Sequence, residues 1–292
     1  MLELKTDYNC IKCLINRYSC TDTPVLSDEE KTLYIKELLK IIAEVPISIS
    51  SPEIVEKITA LQRKYGISTL DYAAIKKQYN SLLLSFEQEI WEKINSSEDK
   101  LYCAMSYAFT GNYIDFGALS DITQEKLRDM IDKTQDVIFD KKEYNCLKQE
   151  LACAKRLVYL TDNCGEIVFD KLLIRLLKQE YPSLEIKAVV RGLDVLNDAT
   201  MQDALEVGLD KVVEVTHNGT GIAGTVLNRI NRESLSLIEQ ADVIISKGMG
   251  NFETLTGSSL NIYYMFLCKC EKFCRLFNKP KFSYMLLNEK RI

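Results

Sequence analysis

From about residue 150 onward, short runs of β-branched and aromatic residues alternate with longer stretches of helical periodicity, and this alternation constrains the fold more than any other feature. Arg156–Thr161, Glu185–Val190, Lys211–Thr216 and Asp242–Ser246 read as strands, and Lys281–Leu287 as a last one. Between them Ile167–Tyr181, Ala199–Val207, Val226–Gln240 and Leu260–Leu276 read as helices. Strands separated by helices of this length make βαβ units, and right-handed crossovers put helices on both faces of a parallel sheet. Residues 1 to about 150 carry helical signals only. Ser27-Asp28-Glu29-Glu30 opens a stripe of Leu33, Ile35, Leu38, Leu39 and Ile42 that Pro46 closes, Pro52 suits the first turn of the next helix, and Tyr72–Ile94 stays helical. The expected architecture is α/β: a Rossmann-like three-layer sandwich with a mainly parallel sheet over 151–292, preceded by an N-terminal helical subdomain over 1–150 that caps the site.

Composition narrows the function. A net charge of −5 argues against a nucleic-acid partner, which calls for a basic face. The single histidine, His217, excludes multi-histidine metal sites and leaves any histidine triad to that one residue. The opening MLELKTDYNCIKC has no apolar h-region, and the longest apolar run, around Ile262–Cys268, falls far short of the ~20 residues of a membrane span. A cytoplasmic protein with no membrane partner is expected, its ten cysteines reduced or, for a few, bound to metal.

In an open parallel sheet, ligands bind beyond the carboxyl ends of the strands. The first strand ends in Thr161-Asp162-Asn163-Cys164-Gly165-Glu166, where Asp162 and Asn163 offer hard oxygen ligands or, in the plainer reading, helix caps. Gly165 and Glu166 open the following helix, whose N–H groups favour an anion. The second strand's exit carries Asn197 and Asp198, and two aspartates with asparagine suit Mg²⁺ or Mn²⁺. The fourth exit, Ser246-Lys247-Gly248-Met249-Gly250-Asn251-Phe252-Glu253, sets a lysine in a glycine loop suited to phosphate. No Walker A pattern or G-x-G-x-x-G turn is present. The three exits together point to metal-dependent phosphate chemistry, with cations stabilising developing charge.

These segments resemble the damage-control phosphatase family, formerly domain of unknown function 89: TDNCGEIVFD (161–170), VVRGLDVLNDAT (189–200), ISKGMGNFETL (245–255), GNYIDFG (111–117) and NIYYMFLCKC (261–270). Cys10-x-x-Cys13 is similar to the subfamily common in archaea and bacteria. The resemblance implies an α/β sandwich with an added helical subdomain and hydrolysis of small phosphorylated metabolites. It implies Asp162, Asn163 and Asp198 as ligands of Mn²⁺, Ni²⁺, Co²⁺ or Mg²⁺, with Asp162, Asp198 and Lys247 carrying the chemistry. Glu166, Asn197, Gly250, Asn251 and Glu253 would line the substrate site, Lys269 would be a second phosphate-binding cation, and Asn112 and Asp115 would close over it. Direct attack on phosphorus by Asp162 or Asp198 is an open alternative, and no general acid is identified. Cys164, Met249 and Leu267 depart from the family pattern, where a small, a polar and a basic residue are expected.

Two rival functions remain at this level. An S-adenosylmethionine-dependent carboxyl methyltransferase would need a glycine-rich turn that the first strand lacks. A non-catalytic metal- or thiol-sensing binding protein would use Cys10, Cys13 and Cys270, and Cys268-x-Cys270 could complete a zinc site with Cys10-x-x-Cys13 only if the two chain ends meet.

Overall fold

The computed structural model describes residues 4, 6–19, 26–67, 72–112 and 124–292. Its helices are α1 (Tyr8–Ser19), α2 (Asp28–Glu44), α3 (Ser51–Lys64), α4 (Tyr72–Leu84), α5 (Glu87–Ser96), α6 (Lys100–Gly111), α7 (Gln124–Asp132) and α8 (Lys141–Cys153). There follow β1 (Arg156–Leu160), α9 (Glu166–Glu180), β2 (Glu185–Val190), α10 (Met201–Val207), β3 (Glu214–His217), α11 (Arg232–Gln240), β4 (Val243–Lys247), α12 (Met249–Leu255), β5 (Ile262–Leu267), α13 (Glu271–Phe277) and β6 (Tyr284–Asn288). Local chemistry sets several of these bounds. Ser27 and Glu30 form a capping box at the start of α2, as do Ser50 and Glu53 at α3, where Pro52 sits in the first turn.

The strands form one sheet in the order β3-β2-β1-β4-β5-β6, parallel throughout except for antiparallel β6 at the edge. Strand residues alternate between two cores, which makes the three layers. Leu157, Tyr159, Val243 and Ile245 face a core shared with α4, α5, α6, α8, α9 and α10, whereas Val158, Leu160 and Ile244 face the side covered by α11, α12 and α13. Helices α1–α3 bury a separate small core around Tyr34, Leu38, Ile54 and Ile58. The helical half is therefore not one body. Helices α4–α6 and α8 belong to the sheet's own core, and a boundary near residue 150 does not divide the packing.

One expected helix is corrected. The segment from Leu260 to Leu276 is not continuous helix, because Ile262–Leu267 is β5, buried on both faces, and helix begins only at Glu271. A short apolar run has no periodicity that separates a buried strand from a buried helix. The other elements differ mainly at their ends. Helix α11 starts at Arg232 rather than Val226, β3 covers Glu214–His217, and the stretch from Tyr72 breaks into α4 and α5.

Phe252 of α12 is fully buried, stacks on Phe266 at 4.9 Å between centroids, and meets Tyr264 and Phe273 edge-on. Phe252→Ala is expected to cost about 3–5 kcal/mol, read as a lower denaturant midpoint at unchanged slope.

Candidate active site

The chain order reverses between β1 and β4: β2 and β3 extend the sheet one way, β4 to β6 the other. A crevice opens at such a switch point beyond the carboxyl ends of the two strands. Backbone pairing draws a third exit into it. The Cys164 N–H donates to the Asn197 carbonyl, and the Ala199 N–H to the Asp162 carbonyl, each at 2.8 Å, so that Asn163 and Asp198 face each other in a short antiparallel bridge. This pairing brings Asp162 and Asn163 beside Asp198. Gly248, just after β4, has φ +81°, and a Cβ there would overlap the Asp162 carboxylate.

Asparagines fix the orientation of the acids. Asn163 Nδ2 donates to Asp162 Oδ2 at 2.7 Å and to Glu166 Oε2 at 2.9 Å. Its Oδ1 accepts from Asn197 Nδ2 at 2.9 Å. Asn112, the C-cap of α6, donates to the same two carboxylates at 3.1 Å each and accepts from the Leu267 N–H at 3.0 Å. Because each amide nitrogen serves two acceptors, the network assigns which end of each amide is oxygen. Asp115 lies outside the described residues.

Lys247 takes a different place from the one expected of a phosphate-binding cation. It ends β4 in the register of Val243 and Ile245, so it points down toward α9 and is fully buried. Its Nζ donates to Glu166 Oε1 at 2.5 Å, Asp170 Oδ1 at 2.7 Å and the Ala108 carbonyl at 2.9 Å, which uses all three protons. Tyr159 Oη also donates to Asp170, at 2.6 Å. Burial alone would depress the ammonium, but Asp170 and Glu166 outweigh it and hold Lys247 charged.

Asn251 likewise acts as a joint between loops. Its Nδ2 donates to the Thr161 and Lys247 carbonyls at 3.1 and 2.8 Å, and its Oδ1 accepts from Thr225 Oγ1 at 2.8 Å and Arg191 Nη1 at 3.0 Å. At Gly250 a Cβ would overlap the Ala223 carbonyl, so glycine there permits close backbone packing. The groups acting on Glu253 are Lys272, Ser51 and Asp7, none of them in the Asp162 cluster, and burial raises its pKa. Lys269 is half-buried, and its charge acts on Asp162, opposing the rise in that group's pKa. Its N–H donates to Met249 Sδ at 3.5 Å.

Burial and mutual repulsion act together on the acids. Burial first, then the charges of Asp198 and Glu166, push Asp162 well above the ordinary carboxylate range, against Arg191 and Lys269. Asp198 is raised as well, by burial, with Arg191 opposing. The buried carboxylate of Asp198, the half-buried one of Asp162 and one amide oxygen form a hard donor set of the kind that suits a divalent cation. Among the described residues no three His, Cys, Asp or Glu side chains could hold a metal ion by themselves. Burial also keeps the Cys164 thiol protonated, and the charges acting most on it are Asp203 and Lys76.

Sequence reasoning passed over Arg191 and Asp170. The side-chain period of 2 in β2 and β4, carried one residue past the apolar run, gives the faces of Arg191 and Lys247, but it does not give their partners. The chain ends do meet: Lys272 Nζ lies 3.8 Å from Cys10 Sγ, and Arg275 donates to Tyr8 Oη at 2.8 Å. They bring together no thiol metal cluster among the described residues. His217 ends β3 on an exposed edge.

The model of the damage-control phosphatase ARMT1-like domain matches residues 6–285. A damage-control phosphatase of Archaeoglobus fulgidus is 32% identical over 273 residues, covering 91% of this chain and 93% of that protein. An uncharacterized protein of Methanocaldococcus jannaschii is 31% identical over 279 residues, covering 92% and 90%. The crystal structure of a Pyrococcus horikoshii protein of the domain-of-unknown-function-89 family superposes with a TM-score of 0.80 at 26% identity, covering 98% of this chain and 99% of the other.

Proposed function

The chain belongs to the damage-control phosphatase ARMT1-like family, and from that premise we propose that it hydrolyses phosphomonoesters of small metabolites, sugar phosphates or damaged phospho-metabolites, with a divalent metal held by Asp162, Asn163 and Asp198. Family membership supports the phosphatase activity. The observation that carries the metal is the pairing of Asp198, buried, with Asp162, whose side chain is 14% exposed, each with one carboxylate oxygen engaged by donors, beside an amide whose nitrogen is fully used. Among the described residues Asp198 Oδ1 accepts no hydrogen bond, and Asp162 Oδ1 has only a distant guanidinium. Held there by Asp162, Asn163 and Asp198, Mn²⁺, Ni²⁺, Co²⁺ or Mg²⁺ would supply Lewis acidity to the phosphoryl oxygen and would acidify water.

The protein's own groups divide the remaining work. Lys247 and Asn112 hold Glu166, and Glu166 with Asp162 turns the Asn163 oxygen away from its two acceptors. Lys269 takes the phosphate-binding role expected of Lys247, whose protons are all committed. The test is hydrolysis of an aryl phosphate with each of the four metals and with chelator. Chelation is expected to abolish turnover. Asp162→Ala and Asp198→Ala should each lower it by about 10²-fold or more, the scale on which lost charge stabilisation acts. Full activity in either variant refutes the assignment.

A further inference from the structure

Arg191, the residue after β2, is the largest of the fully buried side chains, and the functional reading so far gives it no task. Its guanidinium has five N–H donors in a rigid plane. Nε donates to Asp198 Oδ2 at 2.7 Å, and Nη1 donates to Asn251 Oδ1 at 3.0 Å and Thr225 Oγ1 at 3.3 Å. Nη2 is buried, has no hydrogen-bond partner, and lies 3.7 Å from Asp162 Oδ1. A buried guanidinium edge left unpaired is costly, and the acceptor it faces is the other proposed ligand carboxylate. The two carboxylates approach from different strand exits, and Arg191 is the one cation in ion-pair range of both among the described residues.

We propose that Arg191 is a positioning residue that sets the spacing of the two ligand carboxylates. Nε pins one oxygen of Asp198 and leaves the other for metal, while Nη2 limits how far Asp162 can turn. Thr225 and Asn251 hold the plane of the guanidinium, so the fork reaches Asp162 and Asp198 from a fixed origin. Lysine keeps the charge but offers no planar fork, so it can hold one carboxylate and not set the distance between two.

This inference rests on the metal reading above, and the experiment separates the two. Mn²⁺ is titrated calorimetrically into the chelator-treated full chain, without substrate, for wild type, Arg191→Lys and Thr225→Val, with the melting temperature of each recorded metal-free. Wild type is expected to bind Mn²⁺, and Arg191→Lys to bind it about 10–100-fold more weakly, the range for groups that orient metal ligands. Thr225→Val, which keeps the guanidinium and removes one of its anchors, should weaken binding in the same direction by a smaller factor, and it serves as the test if Arg191→Lys fails to fold. A folded Arg191→Lys, or failing that Thr225→Val, with wild-type Mn²⁺ affinity overturns the positioning role and leaves the metal reading intact. A wild-type chain that binds neither Mn²⁺ nor, titrated in the same way, Ni²⁺, Co²⁺ or Mg²⁺ overturns both.

Discussion

Replacing Gly248 with alanine should remove phosphatase activity while leaving most of the fold in place. The residue has φ +81° and ψ 158°, a region that essentially only glycine occupies, so alanine strains the backbone by about 1–3 kcal/mol. The larger consequence is local. The new Cβ would occupy the space of the Asp162 carboxylate, which must then turn away from Asn163 and Asn112. A displacement near 1 Å at a reacting centre costs about 10²-fold, and a carboxylate turned away altogether costs more. The expected result is a loss of at least about 10²-fold in kcat with a far-UV spectrum like wild type. Turnover within a few-fold of wild type would mean that Asp162 does not need its present orientation.

Lys247→Met should be among the most damaging single substitutions for stability. The side chain is fully exchanged from water to a site with two carboxylates and a carbonyl, and methionine is of similar length but gives them nothing. Removing one partner of a buried ion pair leaves an uncompensated charge and costs about 3–5 kcal/mol, although replacing a whole buried ionic cluster by apolar groups is often neutral. Adding Asp170→Asn to Lys247→Met, which removes one of the stranded charges, should therefore recover part of the loss. Chemical denaturation of the four members of that cycle measures it. Additive losses would show that Lys247 and Asp170 act independently, contrary to their 2.7 Å contact.

The second half of the fold was legible because its signals are local. Strands rich in Val, Ile and Tyr, alternating with helices, give a parallel sheet, and the rule that ligands bind beyond strand ends directs attention to the segments after residues 160, 190 and 247. Within those segments the sequence identified which residues bear charge or amide groups, and the structure sorts them by direction. Asp162, Asn163, Asn197, Asp198, Glu166 and Asn112 converge. Lys247 turns beneath the site to hold Glu166, Asn251 ties three loops together, and the neighbours of Glu253 lie on α3, on α13 and just before α1. The β5 strand was hidden for another reason: buried on both faces, it shows no alternation.

Ser27, Pro52 and the apolar stripes determined the helices from the sequence alone, since capping, proline geometry and periodicity act over one or two turns. The sequence also determined the supply of hard oxygen ligands and the near absence of histidine. Only the tertiary structure decided which cation serves which acid. The order β3-β2-β1-β4-β5-β6 sets the exits of β1, β2 and β4 side by side, so Lys247 at the end of β4 meets Asp170 of α9, and Arg191 after β2 comes within 3.7 Å of Asp162 after β1. Coulomb attraction falls with distance in space and is indifferent to separation along the chain, so charge pairing between strand exits exists only once the sheet has formed.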